Sequence, residues 1–297
     1  MQKYVSDEEL SRFTLVEADL LHESGWKEAV EGMDAILHSA SPFIIEEPKH
    51  EDELIKPARM GVKHVMDAAI EKQVHRVVQT SSIAAIVYGH DGGLSKFDES
   101  HWTNLNAPNV SAYTKSKTLA EMDLWALSKK HAELKITTIN PGFVLGPLLG
   151  KDPGTSGEVI LKFMRGEYPG FPRLGFPIVD VRDVAELHYL ALENEVSIGS
   201  RYIASSESIW FKNMAEYILE ACPEFSSKVK PRQLPDWLVK LLGIFDKSIR
   251  SVIHELGFKP EMNNAKAVQE LGFAPRSAKE ATMATASSIV EMGYLNR

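Results

Sequence analysis

The sequence predicts an α/β fold: a doubly wound, mainly parallel sheet with helices on both faces, followed by a smaller, mainly helical lobe. Three observations predict it. Over the first 140 residues, short β-rich runs alternate with helical patterns long enough to cross back over a sheet, as right-handed βαβ units require. After Asn140 the texture changes to a Pro- and Gly-rich stretch and then to mostly helical patterns. The 297 residues show no repeat of a solenoid's period, and 44% apolar with 25% charged residues is an ordinary globular composition.

Taken in order, Phe13-Thr14-Leu15-Val16-Glu17-Ala18 reads as a strand with partial alternation, ending at Asp19. Ser24 to Gly32 reads as a short helix, with Ser24 as its N-cap and Gly32 as its stop. Ala35 to His38 is a short buried strand. From about Asp52 to Lys72, the positions Leu54, Ala58, Val62, Val65, Met66 and Ala69 form a helical stripe. Arg76 to Thr80 is the next strand, Ser111 to about His131 a second long helix, and Leu134 to Ile139 a further strand. Residues 141–157 hold four prolines or glycines by Pro147 and four more by Gly157, and a loop of that length is usually functional. Beyond it, helices are expected near 156–166, 182–194, 211–221, 235–256, 263–271 and 277–292, with one strand at Arg201 to Ala204.

Charge and composition exclude several classes. With 33 basic and 41 acidic residues the net charge is −8, which lacks the footprint of a nucleic-acid binder and disfavours adhesion to anionic lipid. No run approaches the length of a membrane-spanning helix, and the polar, acidic start is not a signal peptide. A single cysteine, Cys222, allows neither an internal disulfide nor a cysteine-based zinc cage. The His and acidic residues show no metal-ligand spacing. The expectation is a cytoplasmic protein with no metal, no nucleic-acid partner and no membrane partner.

The chemistry lies in Ser111-Ala112-Tyr113-Thr114-Lys115-Ser116-Lys117-Thr118-Leu119-Ala120-Glu121. Tyr113 and Lys117 are four apart, so a helix projects both from one face. A phenol is a poor acid or base at neutral pH, and an ammonium held close stabilises its phenolate. The pair can then exchange a proton with a carbonyl or hydroxyl oxygen. Alone, this spacing occurs on many exposed helices. Upstream, however, Thr80-Ser81-Ser82 places hydroxyls at the C-terminal end of a parallel strand, where open α/β sheets hold their ligands. A serine there can hydrogen-bond a substrate oxygen.

With these residues the chain resembles the extended short-chain dehydrogenase/reductases, the NAD-dependent epimerase/dehydratase family. It is most similar to the branch of dihydroflavonol reductases, cinnamoyl-CoA reductases and related aldehyde or ketone reductases. The resemblance runs nearly end to end. Val16-Glu17-Ala18-Asp19-Leu20 is similar to the strand whose Asp-Leu lies beside the adenine. Leu37-His38-Ser39-Ala40-Ser41-Pro42 resembles the segment under the ribose and pyrophosphate. Thr80-Ser81-Ser82 matches the catalytic-serine segment, with Ser82 as that serine. Asn140 to Pro147 is similar to the loop that meets the nicotinamide, and Ser156 falls where a further hydroxyl touches cofactor. Val179 to Ala185 and Leu271 to Arg276 also have the family look. The resemblance therefore implies Ser82, Tyr113 and Lys117 as catalytic residues. It implies Asp19, Leu20, Ser39, Ala40, Ser41, Tyr113, Lys117, Pro141, Gly142, Phe143, Val144 and Ser156 as cofactor contacts, with NADPH rather than NADH expected. Residues 1–150 would form a Rossmann-type dinucleotide-binding domain. Residues 151–297 would form a mainly helical substrate lobe, with late elements returning to the first domain.

One part of the family pattern is missing. Among 19 glycines there is no G-x-G-x-x-G and no G-x-x-G-x-x-G, the turn that lets backbone approach a pyrophosphate at a helix N-terminus. Met1 falls in what would be the helix after the second strand, so roughly 45–55 residues of βαβ structure are unmatched. The NADH/NADPH selector goes with them. The strand at 12–18 would lose its partner, and the strand at 35–38 would become an edge. A fragment of a longer product is one expectation, a repacked remnant another, and weak dinucleotide binding follows from either. The leading expectation is NADPH-dependent reduction of an aldehyde or ketone by a monomer or homodimer. A cofactor-free binding or regulatory paralogue and a sugar-nucleotide epimerase or dehydratase are the alternatives.

Lesser signals have plainer readings. Gly89 to Gly93 is a turn that can serve as a lid or a surface loop. Asp180, Arg182 and Asp183 read chiefly as ion pairs fixing a corner, and His38 as a partly buried, hydrogen-bonded histidine. Asn109-Val110-Ser111 is a sequon without meaning in the cytoplasm. Phe171, Phe176, Trp210 and Phe211 form either a substrate wall or core.

Overall fold

A computed structural model describes residues 6–42, 48–90, 93–108, 110–150, 152–244 and 247–296. Asp91, Gly92 and Asn109, part of the turn and of the sequon, lie outside the described residues. In chain order the first half runs α1 (Asp7–Leu10), α2 (Trp26–Val30), β1 (Ala35–His38), α3 (Asp52–Glu71), β2 (Arg76–Thr80), β3 (Lys96–Phe97), α4 (Ala112–Lys130), β4 (Lys135–Pro141) and β5 (Phe143–Leu145). The second half runs α5 (Gly154–Arg165), β6 (Gly175–Asp180), α6 (Val181–Glu193), β7 (Ser200–Ala204), β8 (Ser208–Trp210), α7 (Phe211–Ala221), α8 (Asp236–Leu242), α9 (Lys247–Val252), β9 (Glu261–Met262), α10 (Ala265–Leu271) and α11 (Ala278–Glu291).

The main sheet has the order β1-β2-β4-β7, and every pairing in it is parallel. Its two faces carry separate cores. On one, Ala58, Val62, Val65 and Met66 of α3 and Leu124 of α4 close over Val77 and Ile136. On the other, Leu187 of α6 and Ala267 and Leu271 of α10 close over Val78, Ile139 and Tyr202. This is a Rossmann-type arrangement, a parallel sheet buried on both sides. The six stripe residues of the first long helix are all buried. Although β7 and α6 come after residue 150, they belong to this sheet and its cover. A second sheet, β5-β6-β8, packs with α5, α7 and α11 around Phe163, Phe171, Met214 and Ile289. Phe171 is core there, and Phe176 stacks on Phe211 with centroids 4.6 Å apart.

Three expectations change. Phe13 to Ala18 forms no strand: Phe13 and Leu15 are 56% and 87% exposed. A strand needs a neighbour for its backbone groups, and β1 pairs with β2 alone among the described residues. The helix after Ser24 starts at Trp26 with Gly25 as N-cap, at φ 87°. A Cβ on Gly25 would stand 2.0 Å from the Glu17 carbonyl oxygen, so both the left-handed backbone and the close approach demand glycine. The helix expected over 235–256 breaks at Gly243, where the chain folds back: a Cβ there would meet Ile253 Cδ1 at 2.3 Å. Arg250 Nε donates to the Gly243 carbonyl at 2.9 Å and so satisfies a helix-end acceptor. The short strands β3, β5, β8 and β9 are additions to the expected elements, whereas β6 ends into α6 at Asp180, within the segment from Val179 to Ala185 that resembles the family's strand-to-helix step.

Candidate active site

Ser111 sets the register of the site. Its hydroxyl caps α4, accepting from Thr114 N at 3.1 Å, so Tyr113 and Lys117 fall in the first two turns on one face. Lys117 Nζ lies 5.9 Å from the Tyr113 ring centroid. Beyond the end of β2, Ser82 caps a short 3₁₀ turn (Ile83–Ala85), accepting from Ala84 N at 3.1 Å. That leaves its own O–H for the Tyr113 phenol. Burial raises the Tyr113 pKa above the usual phenol value, and the hydrogen bond from Ser82 pulls the other way. Burial pushes the Lys117 ammonium down to about 8. Its Nζ has no hydrogen bond or ion pair among the described residues. The structure thus brings Ser82, Tyr113 and Lys117 together at the C-terminal ends of the parallel strands.

The expected cofactor residues spread outward from there. His38, at the end of β1, is held neutral, with its pKa down to about 4 from burial first and the Lys117 charge second. The Trp26 ring meets His38 edge-on at 6.3 Å, and Trp26 Nε1 donates to the Asp19 carbonyl at 3.0 Å. So Asp19 is linked to the site through Trp26. Leu20 packs on Gly61 of α3, and its carbonyl meets His64 Nδ1 at 3.2 Å. Ser39 and Ala40 are exposed and Ser41 is half-buried. Ser39 and Ala40 border a groove of about 350 Å³ beside β1, with Trp26, Leu37, His38 and Val65. Pro141 is buried at the end of β4, beside half-buried Gly142, Phe143 and Val144. Gly142 N donates to the Ala204 carbonyl at 2.9 Å, and a Cβ on Gly142 would lie 2.4 Å from the Pro177 oxygen, so the loop passes where only glycine fits. Ser156 sits half-buried in the first turn of α5.

The acidic corner is structural. Asp180 caps α6 and receives Arg182 at 2.7 Å, while Asp183 pairs with Arg276. Sequence reasoning missed Glu121, Asn140 and Arg201 as members of the site. Glu121 and Asn140 stood inside the quoted motifs without a role. The available signal was polarity out of place: a glutamate one turn beyond Lys117, and an asparagine inside a strand buried on both faces. Among the described residues no group of three or more His, Cys, Asp and Glu can hold a metal. No helix of the described residues is long and apolar enough to cross a membrane.

Comparison with known proteins gives three kinds of match. Residues 2–203 match the NAD dependent epimerase/dehydratase family. The chain is 32% identical to a tetraketide alpha-pyrone reductase of Arabidopsis thaliana over 263 residues, 83% of this chain and 77% of that protein. It is 30% identical to a cinnamoyl-CoA reductase of Petunia hybrida over 280 residues, 89% and 79% of the two chains. Among solved structures, the yeast methylglyoxal/isovaleraldehyde reductase complexed with NADPH superposes with a TM-score of 0.76 at 25% identity, covering 93% of this chain and 83% of the other.

Proposed function

The chain belongs to the NAD dependent epimerase/dehydratase family, and from that premise we propose that it reduces an aldehyde or ketone to an alcohol with NADPH. The observation that supports this reading is the convergence of Ser82, Tyr113 and Lys117 at one end of the sheet. The relatives named as reductases, and the yeast reductase complexed with NADPH, support the oxidoreductase class and the choice of cofactor.

The residues present fit part of the cofactor. Lys117 is a half-buried, desolvated donor with no hydrogen bond or ion pair among the described residues, and it lies beside a neutral histidine. A sugar hydroxyl is the kind of acceptor that position wants. Ser39 and Ala40 offer exposed groups at the end of β1. No Gly-rich turn stands in the sequence to meet the pyrophosphate. When bound, NADPH supplies hydride to the carbonyl carbon. Ser82 orients the carbonyl oxygen through its hydroxyl. Tyr113 gives that oxygen its proton, and the Lys117 charge steadies the phenolate left behind.

The test is NADPH consumption with a panel of aldehydes and ketones. Tyr113→Phe is expected to lower kcat by on the order of 10²-fold or more, as loss of a general acid does, while leaving the NADPH dissociation constant unchanged. A Tyr113→Phe variant that turns over at the parent rate refutes the mechanism. The edge of β1 that is unpaired among the described residues favours a second reading, a binding protein that keeps the fold and drops the chemistry. Its mark would be no NADPH consumption with any carbonyl even at saturating NADPH.

A further inference from the structure

Glu121 lies one turn beyond Lys117 on α4 and is fully buried. Its oxygens accept from five side chains. Oε2 takes Ser81 Oγ at 2.5 Å and Asn140 Nδ2 at 2.8 Å. Oε1 takes Arg201 Nε at 2.6 Å, Thr138 Oγ1 at 3.1 Å and Trp125 Nε1 at 3.2 Å. Arg201 is locked in turn. Its guanidinium lies 3.8 Å over the Trp102 ring and donates to the carbonyls of Glu99 and His101 at 2.8 and 2.7 Å.

Two of these donors bracket Ser82. Ser81 precedes it in the chain, and Asn140 Nδ2 also donates to the Ser82 carbonyl at 3.1 Å. Burying an ion pair seldom adds stability over well-packed apolar residues, so the polarity here has to act in another way. A carboxylate only accepts, and it can fix several donors at once.

We propose that Glu121 is a positioning residue. Through Ser81 and Asn140 it ties the end of β2 to the helix that carries Tyr113 and Lys117, and so holds the Ser82 hydroxyl against the phenol. The inference rests on the functional reading of Ser82 and Tyr113 given above. It adds that the serine's place is set from behind, by a group that touches neither substrate nor cofactor.

The test reads the Ser82–Tyr113 contact directly, in the protein without cofactor. Tyrosine is labelled with ¹³C at Cζ, and the Tyr113 resonance is assigned by its loss in Tyr113→Phe. Ser82→Ala is expected to move that resonance. Ser81→Ala and Asn140→Ala, which leave Ser82 itself in place, are expected to move it in the same direction. Neither is expected to move it further in a Ser82→Ala background, because coupled residues are not additive. In turnover, Asn140→Ala is expected to lower kcat by on the order of 10-fold through misplacement, with the NADPH dissociation constant unchanged. Glu121→Gln is expected to move the resonance likewise; where it or Asn140→Ala fails to fold, Ser81→Ala, which deletes one hydroxyl, decides. If Ser82→Ala moves the Tyr113 resonance and Ser81→Ala and Asn140→Ala do not, the positioning role is refuted and the functional reading stands. If Ser82→Ala also leaves it in place, the serine–tyrosine pairing falls, and the inference with it.

Discussion

Replacing Lys117 with methionine should stabilise the protein while it removes the chemistry. Burial holds the Lys117 pKa at about 8, against 10.5 for a free lysine. The difference, 10.5 − 8, is 2.5 pKa units, or about 3 kcal/mol at about 1.4 kcal/mol per unit. The sign follows from proton counting. Between pH 8 and 10.5 the unfolded chain keeps a proton that the folded chain sheds, so stability rises with pH across that window. Below pH 8 both states are charged and the folded state carries the whole desolvation cost. Above 10.5 neither is charged and the cost is gone. Methionine fills similar space with a flexible apolar chain and no charge. Lys117→Met is therefore expected to gain up to about 3 kcal/mol at pH 7, which for a chain of this size raises Tm by about 5 °C or more. The gain should shrink as the pH approaches 10.5. Thermal unfolding followed by circular dichroism at pH 7, 9 and 10.5, parent against variant, measures it. Turnover should fall in the same variant, because the Tyr113 phenolate loses its cation. Parallel Tm curves across the three pH values, or a variant less stable than the parent at pH 7, would refute the reasoning.

Three other outcomes are expected. His38 refuses a proton in the folded state down to about pH 4, so stability should fall as pH drops from 6.5 to 4. His38→Gln should flatten that slope in urea midpoints taken at pH 7 and pH 4.5, and an unchanged slope would clear His38 of the effect. Arg201→Met leaves Glu121 buried without its cation and should cost about 3–5 kcal/mol in denaturant unfolding; a loss under about 1 kcal/mol would mean that the pair is hydrated. Titration of the 297-residue chain with NADPH, followed by fluorescence, should show weak binding that saturates only well above micromolar NADPH, since the Gly-rich turn that meets pyrophosphate is not in the sequence. Saturation at low micromolar NADPH would show that other residues have built a phosphate site.

Much of this protein was legible in local pattern. The stripe from Leu54 to Ala69 marks α3 because a helix repeats its buried face every three to four residues. Tyr113 and Lys117 share a face for the same reason, and the serines at 81 and 82 sit where a parallel strand ends. Each of these facts depends on spacing within one segment, which a sequence carries in full. The resemblance to reductases rests on such segments, and so it could be read before any fold was in hand.

What the sequence could not decide depends on partners far along the chain. Phe13 to Ala18 has the composition of a strand, yet a strand exists only where a neighbour completes its hydrogen bonds, and none is paired there among the described residues. Gly243 looked like an interior helix residue until Ile253 came back against it. Glu121 read as one more polar residue on a helix. Only the approach of Ser81, Thr138, Asn140 and Arg201, from two strands and the end of a third, makes it the acceptor that gathers the site. The low pKa of Lys117 is likewise a property of the burial that folding imposes on it. Spacing along the chain determined which side chains share a face, whereas desolvation and hydrogen bonding across long sequence separations, which exist only once the sheet has closed, determined what those side chains are.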